Sequence, residues 1–153
     1  MQQLLVALPL GLATPPPTAT QHKKVVVTGL GTFTSLGHDA HTLFQNLLDA
    51  KCGIAPVTHF DTTGHQTTIA AEVRDFDVSL FWESKDAKRH DRYSHLAMAA
   101  AKTAIKDGAL DPATIADPTR FGVLVGSGVG GLSTVEQSCD ILFHKGPKRI
   151  TPF

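Results

Sequence analysis

The sequence predicts an α/β domain built on a parallel or mixed sheet, and three observations carry that expectation. Two short apolar runs, VVV at 25–27 and FGVLV at 121–125, have the β-branched composition of strands buried on both faces. Helical patterns alternate with these runs, at 39–50, 92–106 and 132–143. Each strand-like run breaks into glycine, at Gly29 and at Gly126.

In chain order, residues 1–22 read as an extension and residues 23–153 as a partial α/β domain. The apolar stretch 4–12 is too short to cross a membrane and contains Pro9, and TPPPTAT after it has no packing period. Neither basic residues ahead of the apolar stretch nor the arginines of a transit peptide are present. The extension is therefore expected to be disordered, with an atypical organelle-targeting segment as the alternative. From Lys23 the first strand should lie centrally in a sheet, and GLGTFTSLG turns the chain into the helix at 39–50. That helix places Leu43, Phe44, Leu47 and Leu48 on one face, with Gly53 past its end.

After a loop rich in Thr, His and Asp, residues 67–73 predict a short strand and 78–82 a short helical piece. The alanine-rich helix at 92–106 has a face small enough for close packing and stops at Gly108. The second strand at 121–125 leads through GSGVGG into the helix at 132–143. Two strongly apolar strands make an unfinished sheet, whose uncovered faces would associate.

Fourteen basic and fourteen acidic residues cancel, and 42% hydrophobic with 18% charged content is ordinary for a globular protein. No global field favours nucleic acid, so electrostatic recognition has to be local. Cys52 and Cys139 are too few for a disulfide framework and have no metal-binding spacing, and the eight histidines are scattered. No metal site is expected.

Three features invite a functional reading. GSGVGG satisfies GxGxxG through Gly126, Gly128 and Gly131, which admits a dinucleotide-binding module, and its side-chain-free backbone asks for a close neighbour. The acidic residue expected about twenty positions later is absent, with Lys145, Lys148 and Arg149 there instead. Lys85, Lys88, Arg89 and Arg92 fall at i, i+3, i+4 and i+7, so a continuous helix would show them as one basic stripe within an arc of roughly 100°. That stripe is either a solvated face, helped by Asp86 and Asp91, or a docking surface. Of the cysteines, Cys52 follows the C-terminal end of a helix, where the dipole disfavours a thiolate, and Cys139 has the spacing of a partly buried packing residue.

VVVTGLGTFTSLG, HFDTTG, KDAKRHDR, GVLVGSGVGGL and GPKRITPF, in this order and spacing, resemble the N-terminal part of the β-ketoacyl-acyl-carrier-protein synthases of the elongating, FabF-like kind. The resemblance covers residues 23–153 and implies a thiolase-like fold. In that fold two similar halves, each with a mixed, mainly parallel sheet and flanking helices, stack into layers and work as a homodimer. This chain would supply most of the first half. The implied reaction is the decarboxylative Claisen condensation of fatty acid biosynthesis, which needs a thiolate nucleophile, imidazoles to stabilise an enolate and backbone amides as an oxyanion hole.

By resemblance the nucleophilic cysteine and both histidines are expected beyond Phe153, so no catalytic residue is assigned within the chain. Lys85, Lys88 and Arg89 match basic residues that dock the acidic helix of acyl carrier protein. Gly128, Val129 and Gly130 match a loop near the acyl pocket and dimer interface, where a valine leaves more room than a larger residue. No cofactor is implied, since phosphopantetheine arrives on the carrier protein, and neither nucleic acid nor membrane is a partner. The compartment would be cytoplasmic, or mitochondrial or plastid if residues 1–22 act in targeting. Three functions stay open: a synthase cut short, a non-catalytic short product that binds carrier protein or a full-length synthase, and, distantly, the dinucleotide-binding module.

Overall fold

The computed structural model describes residues 24–151, and the expected extension at 1–22 lies outside them. Asp39 opens the first helix, α1 (Ala40–Leu48), by accepting from the Thr42 N–H at 2.8 Å and the Thr42 hydroxyl at 2.6 Å. Leu43 is half-buried, whereas Phe44, Leu47 and Leu48 on the same apolar face stay exposed.

β1 (Ala55–Pro56) pairs antiparallel with β2 (Ile69–Ala70), in the register Ala55 opposite Ala70 and Pro56 opposite Ile69. A 3-10 turn at Val78–Leu80 precedes the four-residue α2 (Ser84–Ala87). Two longer helices follow: α3 (Arg92–Asp107) and α4 (Leu132–Lys145). None of these helices is long and apolar enough to cross a membrane.

The interior is organised by α3. Ala99 is fully buried, and the segment 28–31 lies close against the alanine face of the helix. A Cβ on Gly31 would stand 2.0 Å from the Ala100 carbonyl oxygen, and one on Gly29 would stand 2.2 Å from that of Ala104. Only glycine permits this approach, which the alanine-rich face of α3 anticipates. The Leu30 N–H donates to Asp107 Oδ2 at 2.8 Å and fixes the segment lengthwise. Beside it, Phe33 meets Phe76 and Phe81 edge-on with centroids 5.3 Å apart, while Phe76 and Phe81 stack at 6.0 Å. Lys102 donates to the Phe81 carbonyl and joins this cluster to the outer side of α3.

Two expectations about the sheet fail. Residues 25–27 and 121–125 belong to no strand among the described residues, and they are open to solvent, with Val25 94% and Leu124 99% exposed. A strand needs a ladder partner as well as an apolar sequence, and none is brought to either segment. The two-residue antiparallel pair occupies less than the expected 67–73.

The helix ends differ too. The left-handed residues after α1 and α3 are Ala50 (φ 52°) and Ala109 (φ 47°), where Gly53 and Gly108 were expected to serve. Those glycines answer to crowding instead. A Cβ on Gly108 would lie 2.9 Å from the Thr28 carbonyl oxygen, and one on Gly53 would lie 2.3 Å from Ser35 Oγ.

Candidate functional site

The basic residues do not form a single helical stripe. Helix α2 stops at Ala87, Lys88 still has helical dihedrals as its C-cap, and a new helix starts after Asp91. Arg92 therefore leaves the stripe: its guanidinium donates to the Val73 carbonyl and sits 5.9 Å above the Phe76 ring. Lys85, Lys88 and Arg89 remain on an exposed turn, with Arg89 3.9 Å from Asp86 in an i,i+3 ion pair.

Two histidines hold this turn. The His90 Nδ1–H donates to the Asp86 carbonyl and the His95 Nε2–H to the Ala87 carbonyl, each at 2.8 Å, beside the Arg89 and His90 amides that the same carbonyls accept. Both imidazoles lie against Trp82, with centroids at 4.6 and 5.6 Å. Lys88 and Arg89 then overlook a groove of about 580 Å³ whose far wall is α4, with Thr134, Ser138 and Ile141 facing it.

Asp91 spans the floor of that groove. One carboxylate oxygen accepts from the Arg92 N–H at 2.6 Å and opens α3, while the other accepts from the Thr134 N–H at 3.0 Å and the Thr134 hydroxyl at 2.9 Å. The N-cap residue of α4 is Gly131, which has no side chain to cap the helix, so Asp91 serves as its cap from a distant part of the chain. Gly131 fits underneath, since a Cβ there would stand 2.9 Å from Asp91 Oδ2. Burial pushes the Asp91 carboxyl up, but the hydrogen bonds from Thr134 and Arg92, together with the His95 charge, outweigh it and hold the group below its ordinary range.

The glycine loop above this clamp is open. Nothing lies within 4 Å of where a Cβ on Gly126, Gly128 or Gly130 would point, and Val129 is 74% exposed. The Gly130 N–H donates to Ser127 Oγ at 3.0 Å, closing a local turn. The close neighbour that the glycines call for is therefore absent among the described residues, except at Gly131. The preceding segment 121–125 is not a strand, so the strand–loop–helix context of a dinucleotide site is missing as well.

Neither cysteine is set up as a nucleophile. Cys52 is exposed in the coil after α1, its thiol 3.8 Å from the Ile54 carbonyl oxygen. Cys139 is exposed in the middle of α4, contrary to its expected partial burial, because the face it shares with Val135 and Leu142 meets only Ile150 from the following turn among the described residues. Among those residues, no three His, Cys, Asp or Glu side chains gather as a metal site.

Asp91 and the two histidines escaped the sequence reading, which weighed Asp91 only as a charge beside the basic residues. A sequence signal existed for half of its role: aspartate directly before an alanine-rich helix is an N-cap pattern. The other half, reaching Thr134, depends on the fold.

The model of the family described as Beta-ketoacyl synthase, N-terminal domain, matches residues 22–153. The chain belongs to the β-ketoacyl synthase family. The 3-oxoacyl-[acyl-carrier-protein] synthase 2 of Synechocystis sp. is 41% identical over 133 residues, covering 87% of this chain and 32% of the relative. The protein of the same description from Staphylococcus aureus strain N315 is 39% identical over 136 residues, covering 88% and 32%. The chain thus spans about a third of the length of the curated relatives it matches, at their N-terminal domain.

Two solved structures share its fold, each with a TM-score of 0.66 at 26% identity over 83% of this chain. One is the ishigamide ketosynthase/chain length factor, of which 32% is covered. The other is a type II PKS acyl-carrier protein in complex with its ketosynthase bound to the hexaketide, of which 34% is covered. The fold is accordingly that of a partial thiolase-like α/β domain, even though its main sheet is not assembled within residues 24–151.

Proposed function

We propose that this domain serves a 3-oxoacyl-acyl-carrier-protein synthase, in which it receives acyl carrier protein on the turn bearing Lys85, Lys88 and Arg89. The observation that carries this reading is the turn itself. In a chain with no net charge, three cations sit together on an exposed turn whose backbone is pinned by His90 and His95. Lys85 and Lys88 make no ion pair among the described residues. The Lys85 and Lys88 ammonium groups are thus available to an acidic surface, and such complementarity governs encounter and orientation. The carrier-protein complex of a related ketosynthase supports the choice of partner.

The condensation would draw its nucleophile from elsewhere than Cys52 or Cys139. Phosphopantetheine would come with the carrier, so the reading needs no resident cofactor. Gly128, Val129 and Gly130 would border the acyl pocket, an assignment that rests on the matched motif. The small side chain of Val129 would leave room for longer chains.

The test is a chimaera in which residues 24–151 replace the matching segment of the Synechocystis relative. Condensation on carrier-borne substrates is expected to persist. Changing Lys85, Lys88 and Arg89 together to glutamate should then raise the KM for carrier-borne substrate about tenfold or more, from ~0.5–1 kcal/mol for each exposed charge pair, most visibly at low salt. Turnover of a carrier-free acyl thioester should hardly change. Equal losses on both substrates would make the three residues structural, and unchanged kinetics on both would make the turn an ordinary solvated surface. The alternative of a short non-catalytic product draws on the same surface; it predicts carrier binding by the 153-residue chain itself.

A further inference from the structure

We infer that Asp91 is a positioning residue that locks the carrier-docking turn to the glycine loop, so that the place where an acyl carrier docks and the loop lining the acyl chain move as one body. The assignment rests on the proposed synthase reading for its consequence, but its geometry is independent of it. The Asp91 carboxylate is divided between two helices: one oxygen accepts the Arg92 N–H at 2.6 Å, the other the Thr134 N–H at 3.0 Å and hydroxyl at 2.9 Å.

The contact joins residues 43 apart in sequence. On one side of it, Asp91 directly follows the turn with Lys88, Arg89 and His90; on the other, Gly131 ends the glycine loop. Gly131 is itself shaped to the contact, because an added Cβ would come within 2.9 Å of Asp91 Oδ2 and 3.2 Å of Asp91 Cβ. Helix α4 has no side-chain cap from its own chain segment, so without Asp91 the Thr134 amide in its first turn loses its acceptor. A carboxylate has two oxygens that accept in two directions, whereas a serine hydroxyl can cap only one helix at a time.

Asp91→Ser separates the two roles, since serine caps α3 nearly as well as aspartate but cannot also reach Thr134. Hydrogen–deuterium exchange on the full chain is expected to show the Thr134 amide exchanging about tenfold faster or more, as for loss of a charged acceptor, with the first turn of α3 keeping its protection. Unchanged exchange at Thr134 would overturn the assignment, and equal acceleration in both helices would reduce Asp91 to a general stabiliser. Gly131→Ala keeps Asp91 and its α3 cap but forces the carboxylate off α4. It should reproduce the Thr134 effect, and wild-type exchange in that variant would likewise overturn the clamp.

In the chimaeric synthase, Asp91→Ser should shift the ratio of kcat/KM between long and short acyl chains severalfold while KM for the carrier stays within about twofold. A parallel fall in both would refute the positioning role. A wild-type chimaera that ignores carrier-borne substrate would sink the synthase reading, while the exchange data would still decide whether the clamp exists.

Discussion

The segment 28–33 and the loop 126–131 are both rich in glycine, yet they occupy opposite situations. Gly29 and Gly31 lie so close to α3 that a methyl group would collide with backbone oxygens at 2.2 and 2.0 Å. Gly126, Gly128 and Gly130 face nothing within 4 Å. In the first region the neighbour that demands glycine is an alanine-faced helix from the same domain. In the second, the demand is visible in the sequence and the neighbour is not among the described residues. Glycine composition thus records that a surface will be approached closely, without saying by what.

The largest effect expected from this difference comes from adding one methyl group on each side. Gly31→Ala must move the segment or α3 and should cost at least ~2–3 kcal/mol, as overpacking against rigid backbone does. Gly126→Ala, at a position without positive φ and with open space around it, should be neutral or slightly stabilising through the unfolded chain. Urea midpoints of the two variants in the full chain measure the contrast, and equal losses would erase it. The same pair in the chimaera sharpens it: if the synthase reading holds, Gly126→Ala becomes costly there, because the missing neighbour is then in place.

Legibility followed the same division. The helices α1, α3 and α4 were readable to within a few residues, because caps such as Asp39 and periodic apolar spacing are local properties. The runs 25–27 and 121–125 were read as strands on equally clear composition, but pairing is a property of two segments, and their partners are not brought to them. The candidate site divided likewise. Lys85, Lys88 and Arg89 could be picked out by spacing, while the departure of Arg92 to the Val73 carbonyl and the reach of Asp91 to Thr134 depend on how α3 is oriented.

An intermediate effect is expected at Glu72, which ties the HFDTTG segment to the strand after it. The Thr58 N–H at 3.0 Å is the main cause that lowers this carboxyl to about 2; burial opposes it, and the Thr58 hydroxyl and His59 N–H add to it. Arg74 lies 3.5 Å away. A depressed carboxyl stabilises the fold above its unfolded value of roughly 4.3, and that contribution is lost as the pH falls from there toward the folded value. Proteolytic protection of residues 58–72 should therefore decline between about pH 4 and pH 2. Glu72→Gln should be less protected at neutral pH and flatter across that window. An unchanged acid profile in the variant would mean that other carboxylates set it.

The smallest effect belongs to the edge of the well-packed region, where strain and crowding sit on adjacent residues. Ala109 takes the left-handed conformation after α3 at φ 47°, which costs an L-residue ~1–2 kcal/mol, while the neighbouring Gly108 has an ordinary φ of −77°. Ala109→Gly removes that cost but gives the unfolded chain more freedom, worth ~0.5–1 kcal/mol, so a net gain of about 0.5 kcal/mol is expected. Gly108→Ala should have the opposite sign, because its Cβ would press on the Thr28 carbonyl oxygen at 2.9 Å. Measured together by thermal unfolding, the two variants decide whether the glycine after α3 serves the turn or the packing. Stabilisation by Gly108→Ala would return it to the turn, and with it would go the close packing of Thr28 on the end of α3.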